Sequence, residues 1–350
     1  MLKIGILGGG QLGKMLLQKA ADYPVETYVL DADPHAPAAH LSQHFVCEKV
    51  TDFHAVCELG RLVDVLTIEI ENVNVEALHT LSQQGKLIIP SPHVIETIRD
   101  KGLQKEFLQK HGIPTAPFKL TENKRDLFAN IDFIPAVHKL RSGGYDGRGV
   151  QIIKDKNDIN HGFDEPSVLE KLVDIEKEIS VIVARNTKGE TSLFPPAEMV
   201  FDPVYHLVDY LISPATIGPQ VTEQAYSLAQ QVCNALNSPG IFAIEMFLSK
   251  TGELLVNEIA PRVHNSGHHT IEANYVSQFD ALLRILQNLP LGQPTPIKPS
   301  IMINLVGEPG YHGKAKYVGL EKVLHLEGVF VHIYGKQNTR PGRKMGHVTI

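Results

Sequence analysis

Over the first ninety residues, short apolar runs alternate with helical patterns and are separated by glycine- and proline-marked breaks. Residues 3–7 read as a buried strand, and after a short glycine loop the spacing predicts a helix from near Gln11 to Ala21. A second strand, Glu26 to Leu30, ends at Asp31-Ala-Asp33, and strand patterns recur at Leu62–Ile70 and Leu87–Ile89. Strand patterns that alternate with helical ones predict a parallel, doubly wound α/β unit of about 100 residues, ended by Pro90-Ser-Pro92. One helix is expected over Val94–His111. Beyond Gly112-Ile-Pro114 the pattern turns to strands, with Ala136–Leu140 and Ser167–Leu169 flanking a loop that carries four glycines. After Pro290, glycine- and proline-spaced β segments run to Ile350. No internal repeat or low-complexity tract interrupts this organisation.

A late hairpin carries the strongest chemical signal. Ile241–Leu248 and Glu253–Glu258 read as strands joined by a Ser249-Lys-Thr-Gly252 turn. Pairing Ser249 with Gly252 sets Glu245 opposite Val256 and makes Glu258 a diagonal neighbour at roughly 7–8 Å. Two like charges side by side gain nothing from each other, and a divalent cation is the usual reason to keep them there. Taken alone, the pair also suits a solvated sheet face.

Gly8-Gly-Gly10-Gln11-Leu12-Gly13 lies between a strand and a helix, with Asp31 and Asp33 about 20 residues on, which is a dinucleotide fingerprint. Backbone N–H groups at a helix start attract any phosphate, so the loop alone leaves a nicotinamide-dependent oxidoreductase open. Arg141-Ser-Gly143-Gly144-Tyr145-Asp146-Gly147-Arg148-Gly149 follows the strand of Lys139 and would let backbone approach phosphates under a lysine charge. Glu170 ends the next strand, and Glu178 offers an acceptor to a ribose. His264 and His268 are four apart, but Asn265-Ser266-Gly267 breaks the helix that zinc spacing would need, so anion-holding by Arg262 with orientation by His264 is favoured. Lys336, Arg340, Arg343 and Lys344 around Pro341-Gly342 form a cationic turn suited to a phosphate monoester.

The chain has 350 residues, 43% hydrophobic and 21% charged, enough for two or three domains. Its net charge of −6 argues against nucleic-acid binding. Cys47, Cys57 and Cys233 show neither C-x-x-C spacing nor an even count, which fits a reducing compartment. The absence of a basic leader and of any apolar run of about 18 residues points to a cytoplasmic protein without membrane contact.

Together, the first glycine loop, Gly143–Gly149, the run Asn257-Glu258-Ile-Ala-Pro-Arg262-Val-His264-Asn265-Ser266-Gly-His268 and Arg340-Pro-Gly-Arg343-Lys344 closely resemble the ATP-grasp ligases. Within them, the resemblance is to the members that carboxylate 5-aminoimidazole ribonucleotide in purine biosynthesis. It implies an ATP-grasp fold with an N-terminal doubly wound parallel-sheet domain (1–97), an ATP-grasp domain (98–292) with a lid at about 115–172, and a small C-terminal β-rich domain (293–350). Lys101, Lys139 and Gly144–Gly149 would contact ATP phosphates, Glu170, Lys171, Leu172 and Val173 the adenine, and Glu178 the ribose. Glu245 and Glu258, helped by Asn257, would hold magnesium, with manganese as an alternative. Gly10, Gln11, Leu12, Tyr145, Asp146, Arg148, Lys336 and Arg343 would bind the ribonucleotide. Arg262, His264, Asn265 and Ser266 would line the bicarbonate pocket. Arg262 would hold an oxyanion, with Asp146 or His264 as base, and a homodimer is implied as the assembly. Lys101 and Val150 stand where the family commonly has arginine and glutamine, and the chain ends soon after Gly346-His347, short of the usual tail. Another ATP-grasp carboxylate-amine ligase remains an alternative.

Overall fold

The computed structural model describes residues 1–144, 149–203 and 207–350. Its first unit is a five-stranded parallel sheet in the order β3-β2-β1-β4-β5, formed by β1 (Leu2–Leu7), β2 (Val25–Leu30), β3 (His44–Val46), β4 (Val65–Ile68) and β5 (Leu87–Ile89). Helices α1 (Gln11–Ala20), α2 (Phe53–Leu62) and α3 (Val75–Gln83) make the crossovers. Burial of Ile4–Leu7, Tyr28–Leu30 and Val65–Ile68 on both faces accounts for their largely apolar sequence.

The single helix expected over Val94–His111 is two. Helix α4 (Pro92–Arg99) stops at Asp100, whose backbone is extended and whose carboxylate caps α5 (Lys101–Lys110) by accepting from the N–H groups of Gly102 and Leu103 at 2.8 and 3.0 Å. An N-cap aspartate competes with helix continuation at its own position, and that restart sets Lys101 in the first turn of α5.

Strands β6 (Phe118–Thr121), β7 (Ala136–Leu140), β8 (Val150–Ile153) and β9 (Ser167–Lys171) build a separate antiparallel sheet in the order β6-β9-β7-β8, with α6 (Arg125–Ala129) on it. Leu127, Ala136, Ile153, Ile159 and Leu169 form its small core. The central sheet then runs β15-β14-β10-β12-β13-β16-β20-β18, with β11 (Thr191–Leu193) on β10. These strands are β10 (Ile175–Arg185), β12 (Ala197–Phe201), β13 (Val208–Ser213), β14 (Gly240–Ser249), β15 (Leu254–Ala260), β16 (Ser300–Val306), β18 (Phe330–Ile333) and β20 (Lys344–Thr349). A short pair, β17 (Gly313–Lys314) with β19 (Asn338–Thr339), decorates the C-terminal part, and α7 (Pro219–Leu236), α8 (Thr270–Ala273), α9 (Gln278–Leu286) and α10 (Leu320–Val323) complete the set. The C-terminal β segments thus continue the central sheet through the β13–β16 pair.

Alternation along β10 and β14 sorts their side chains between two cores. Val181, Val183, Phe242, Ile244 and Met246 pack with α7, whereas Ile182, Ala184, Ile241 and Ala243 pack with Leu12, Met15 and Leu16 of α1 and Phe279 and Leu282 of α9. The second core fastens the parallel-sheet unit onto the central sheet. Ser180 and Glu245 continue the face turned toward that unit, directly opposite one another in the β10–β14 register.

Among the described residues no helix is long and apolar enough to cross a membrane.

Candidate active site

The hairpin register differs from the sequence expectation in two ways, and both bring the acids together. Ser249 N–H donates to the Glu253 carbonyl, so the connection has three residues, with Gly252 at φ 82° where a side chain would strain the backbone. A bulge follows: Met246 pairs with Val256 but Glu245 pairs with Glu258, leaving Asn257 as the extra residue. Val256 and Ile259 both enter the α7-side core although three apart, because the bulge reverses the alternation. Glu258 is therefore directly opposite Glu245 instead of diagonal to it.

Three lysines from two elements, α5 and β7, surround this pair. Lys101 ion-pairs with Glu258. One turn along α5, Lys105 meets Glu170 at 3.0 Å and donates to Thr115 Oγ1 at 2.7 Å. Lys139 on β7 reaches the other oxygen of Glu170 at 3.1 Å and donates to Asn257 Oδ1 at 2.9 Å. Burial opposes ionisation throughout. At Glu258 that push is outweighed by Lys101, with Lys139 and Lys105 helping, and the carboxyl lies below its ordinary value. Glu170 behaves likewise between Lys139 and Lys105. At Glu245, burial and the charges of Glu258 and Glu178 win over Lys101 and Lys344, and the carboxyl rises to about 8. Glu178 is pushed up to about 7 by burial, against Lys139. Burial also lowers Lys105 to about 8.

The donors at the acid pair are two carboxylates and an amide oxygen, all hard ligands suited to magnesium or manganese and poor for zinc. Burial and the neighbouring charges of Glu258 and Glu178 disfavour a bare carboxylate at Glu245, the penalty a bound cation would offset. Among the described residues no group of three or more His, Cys, Asp or Glu side chains is arranged to hold a metal.

Beyond β15, Arg262 Nε lies 2.8 Å from Glu71 Oε1, and the charges of Glu71, Glu69 and Glu258 outweigh burial to raise its pKa. His264 Nε2 is 3.6 Å from Glu245 Oε1, while its Nδ1 lies 2.9 Å from Ser266 Oγ. Asn265 does not present its amide to a ligand: it exchanges two hydrogen bonds with Asn304, at 2.8 and 3.0 Å, in the interior. Lys336 Nζ donates to the Lys344 carbonyl at 2.8 Å and Arg343 Nη1 to the Asn338 carbonyl at 2.6 Å, so the cationic turn is braced from within, and Lys344 comes near enough to Glu245 to act on it.

The other expected residues divide. Lys171 sends its ammonium to the Phe133 carbonyl at 3.1 Å, Leu172 is exposed and Val173 half-buried. Gly144 and Gly149 approach each other at the loop ends, whereas Tyr145, Asp146, Gly147 and Arg148 lie outside the described residues. The dinucleotide reading of the first glycine loop is overturned. Leu12 N–H donates to Glu69 Oε1 at 3.0 Å and Gly13 N–H at 3.4 Å, while Gly9 N–H donates to Asp31 at 2.7 Å. A pyrophosphate at that helix start would meet the chain's own carboxylates. Leu12 itself is buried in the core, so of Gly10, Gln11 and Leu12 only the first two retain backbone or side chain near the surface.

Glu69, Glu71 and Lys105 escaped the sequence reading. The two glutamates follow β4 at its carboxyl end, where open α/β sheets place ligands, and Lys105 stands four residues after Lys101 on the same helix face.

Three family models match: a ribonucleotide synthetase preATP-grasp domain over residues 1–99, an ATP-grasp domain over 106–279 and a phosphoribosylaminoimidazole carboxylase C-terminal domain over 300–350. The N5-carboxyaminoimidazole ribonucleotide synthase of Brucella melitensis is 37% identical, covering 99% of this chain and 95% of its own length. The chloroplastic phosphoribosylaminoimidazole carboxylase of Vigna aconitifolia is 38% identical over 99% of this chain, which spans only 63% of that longer protein. The crystal structure of N5-carboxyaminoimidazole synthase from Aspergillus clavatus in complex with ADP and 5-aminoimidazole ribonucleotide superposes with a TM-score of 0.91 at 33% identity, over 100% of this chain and 93% of that one. With matched models along its length and full-length similarity of this order, the chain belongs to the N5-carboxyaminoimidazole ribonucleotide synthase family of ATP-grasp proteins.

Proposed function

We propose that the chain is an ATP-dependent carbon–nitrogen ligase that joins bicarbonate to the exocyclic amine of 5-aminoimidazole ribonucleotide. The observation that carries this reading is the direct opposition of Glu245 and Glu258 across a bulged hairpin, ringed by Lys101, Lys105 and Lys139. Bicarbonate oxygen attacks the γ-phosphorus of ATP, ADP leaves, and carboxyphosphate results. The amine nitrogen then attacks the carboxyl carbon, and the bond to phosphate breaks. Magnesium held by Glu245, Glu258 and Asn257 would offset charge on the transferring phosphoryl group.

The chain's own residues do the rest. Lys101 and Lys139 exchange carboxylate partners for phosphate oxygens, a substitution of one charge-assisted contact for another. Glu170–Val173 hold the adenine, and Glu178 accepts from the ribose hydroxyls. Arg262, fixed by Glu71, holds the carboxyl oxygens, and Ser266 and His264 line that pocket. Arg148, Lys336 and Arg343 grip the ribonucleotide phosphate, and Tyr145 and Asp146 bind the rest of the ribonucleotide. Carboxyphosphate is lost quickly to water, and the glycine-rich Gly143–Gly149 sequence is the segment assigned the role of lid against it.

ADP release measured with each substrate omitted in turn tests this. Release should require bicarbonate and the ribonucleotide together, and release indifferent to the ribonucleotide would assign the site to another acceptor.

A further inference from the structure

A buried chain of hydroxyls ends on His264. Ser180 Oγ lies 2.8 Å from Ser266 Oγ, which lies 2.9 Å from His264 Nδ1. Both serines are 1% exposed. Ser180 sits on β10 directly opposite Glu245, and Ser266 is in the 3₁₀ turn Asn265–Gly267, for which the imidazole itself is the cap: Ser266 N–H donates to Nδ1 at 3.3 Å.

These contacts have a direction. A backbone amide only donates, so Nδ1 offers its lone pair and the neutral ring keeps its proton on Nε2. The Ser266 hydroxyl then also donates to Nδ1, and its oxygen accepts from Ser180. Nε2–H then lies 3.6 Å from Glu245 Oε1.

We infer that Ser180 is a positioning residue which, through Ser266, holds His264 as the Nε2–H tautomer with its ring aimed beside Glu245. His264 then serves the reaction as a hydrogen-bond donor to a carboxyl or phosphoryl oxygen, and not as the base for the substrate amine. In the second step the amine nitrogen forms the new bond to carbon, the carbon–oxygen bond to phosphate breaks with its electron pair, and the departing phosphate takes the amine proton. The catalytic consequence rests on the proposed ligase reaction; the tautomer is a property of the ligand-free protein.

Protein labelled with ¹⁵N in its histidine rings, examined by multiple-bond ¹H–¹⁵N correlation at about pH 8.5, reads the tautomer directly. The His264→Gln spectrum assigns the signal. The ligand-free protein should show His264 as Nε2–H. Ser180→Ala should move its two ring nitrogens toward one another as the tautomers mix, and lower kcat about tenfold with the KM for ATP unchanged. Ser180→Thr, which keeps the hydroxyl, should restore both. An Nδ1–H ring in the unsubstituted protein overturns the inference, as do ring nitrogens that Ser180→Ala leaves in place. Should Ser180→Ala fail to fold, the unsubstituted spectrum decides alone. Lack of ribonucleotide-dependent ADP release would sink the ligase reading while leaving the tautomer result standing.

Discussion

The glycine loop after β1 and the bulged hairpin β14–β15 both read as phosphate-related sites in the sequence, yet they are finished differently. At the loop, Glu69 accepts from Leu12 and Gly13 at the start of α1, and a Cβ placed on Gly10 would stand 2.5 Å from Glu69 Oε1. The glycine there admits a carboxylate of the same chain. At the hairpin the charges come from separate elements, a helix start, two sheets and a bulge, and each lysine answers a carboxylate with a contact that a phosphate oxygen can replace. A donor set completed within one unit is structural; a set balanced across units is one that a ligand can enter.

The hairpin side of that comparison predicts the largest effect. Glu258→Gln removes the partner of Lys101 and half of the acid pair, and should lower turnover by about two to three orders of magnitude at saturating magnesium. Glu245→Gln should act in the same direction. Steady-state ADP release checks both, and near-normal rates at low magnesium would remove the pair from the site. Next in size is the C-terminal turn, whose arginine now binds the Asn338 carbonyl. Arg343→Ala should raise the KM for the ribonucleotide about 10- to 100-fold, the worth of a lost charge-assisted contact, and leave that for ATP within about twofold. Equal changes in both constants would argue for a collapsed turn.

Much of this arrangement was legible in the chain. The apolar run Leu87–Ile89 is a strand with those bounds, and the existence of the late hairpin followed from its turn. Its register did not, because a bulge is a count of two residues against one, and the letters Val256-Asn257-Glu258 carry no mark of it. The break at Asp100 was missed because apolar periodicity runs on from Ile98 to Leu103 and Phe107, while the cap depends on one carboxylate turning back. Asn265 was placed in the pocket by its neighbours, but its partner Asn304 is 39 residues away, and no local pattern reveals such a pair. Glu69 lies 57 residues from the N–H it occupies, and so the loop kept its dinucleotide look.

The smallest predicted effect isolates that plug. Burial raises Glu69 to about 7, against Arg262 and the two backbone N–H groups that favour its ionised form. Its pKa is thus higher folded than unfolded. The associated stability is fully present below about 4.5 and is lost as pH rises through about 7. Glu69→Gln keeps an oxygen to accept from Leu12 and drops the ionisation, so the substituted protein should match the original near pH 4.5 and exceed it by on the order of 1 kcal/mol at pH 8, a figure kept low because the side chain is only partly buried. Glu178 and Glu245 also rise, to about 7 and about 8, but they titrate in both proteins and cancel in the difference. Denaturant midpoints across that range measure it. A difference that stays flat with pH would show that Glu69 is held ionised, and the loop would then be a charged cap like Asp100 on α5 instead of a carboxyl group forced into an anion's place.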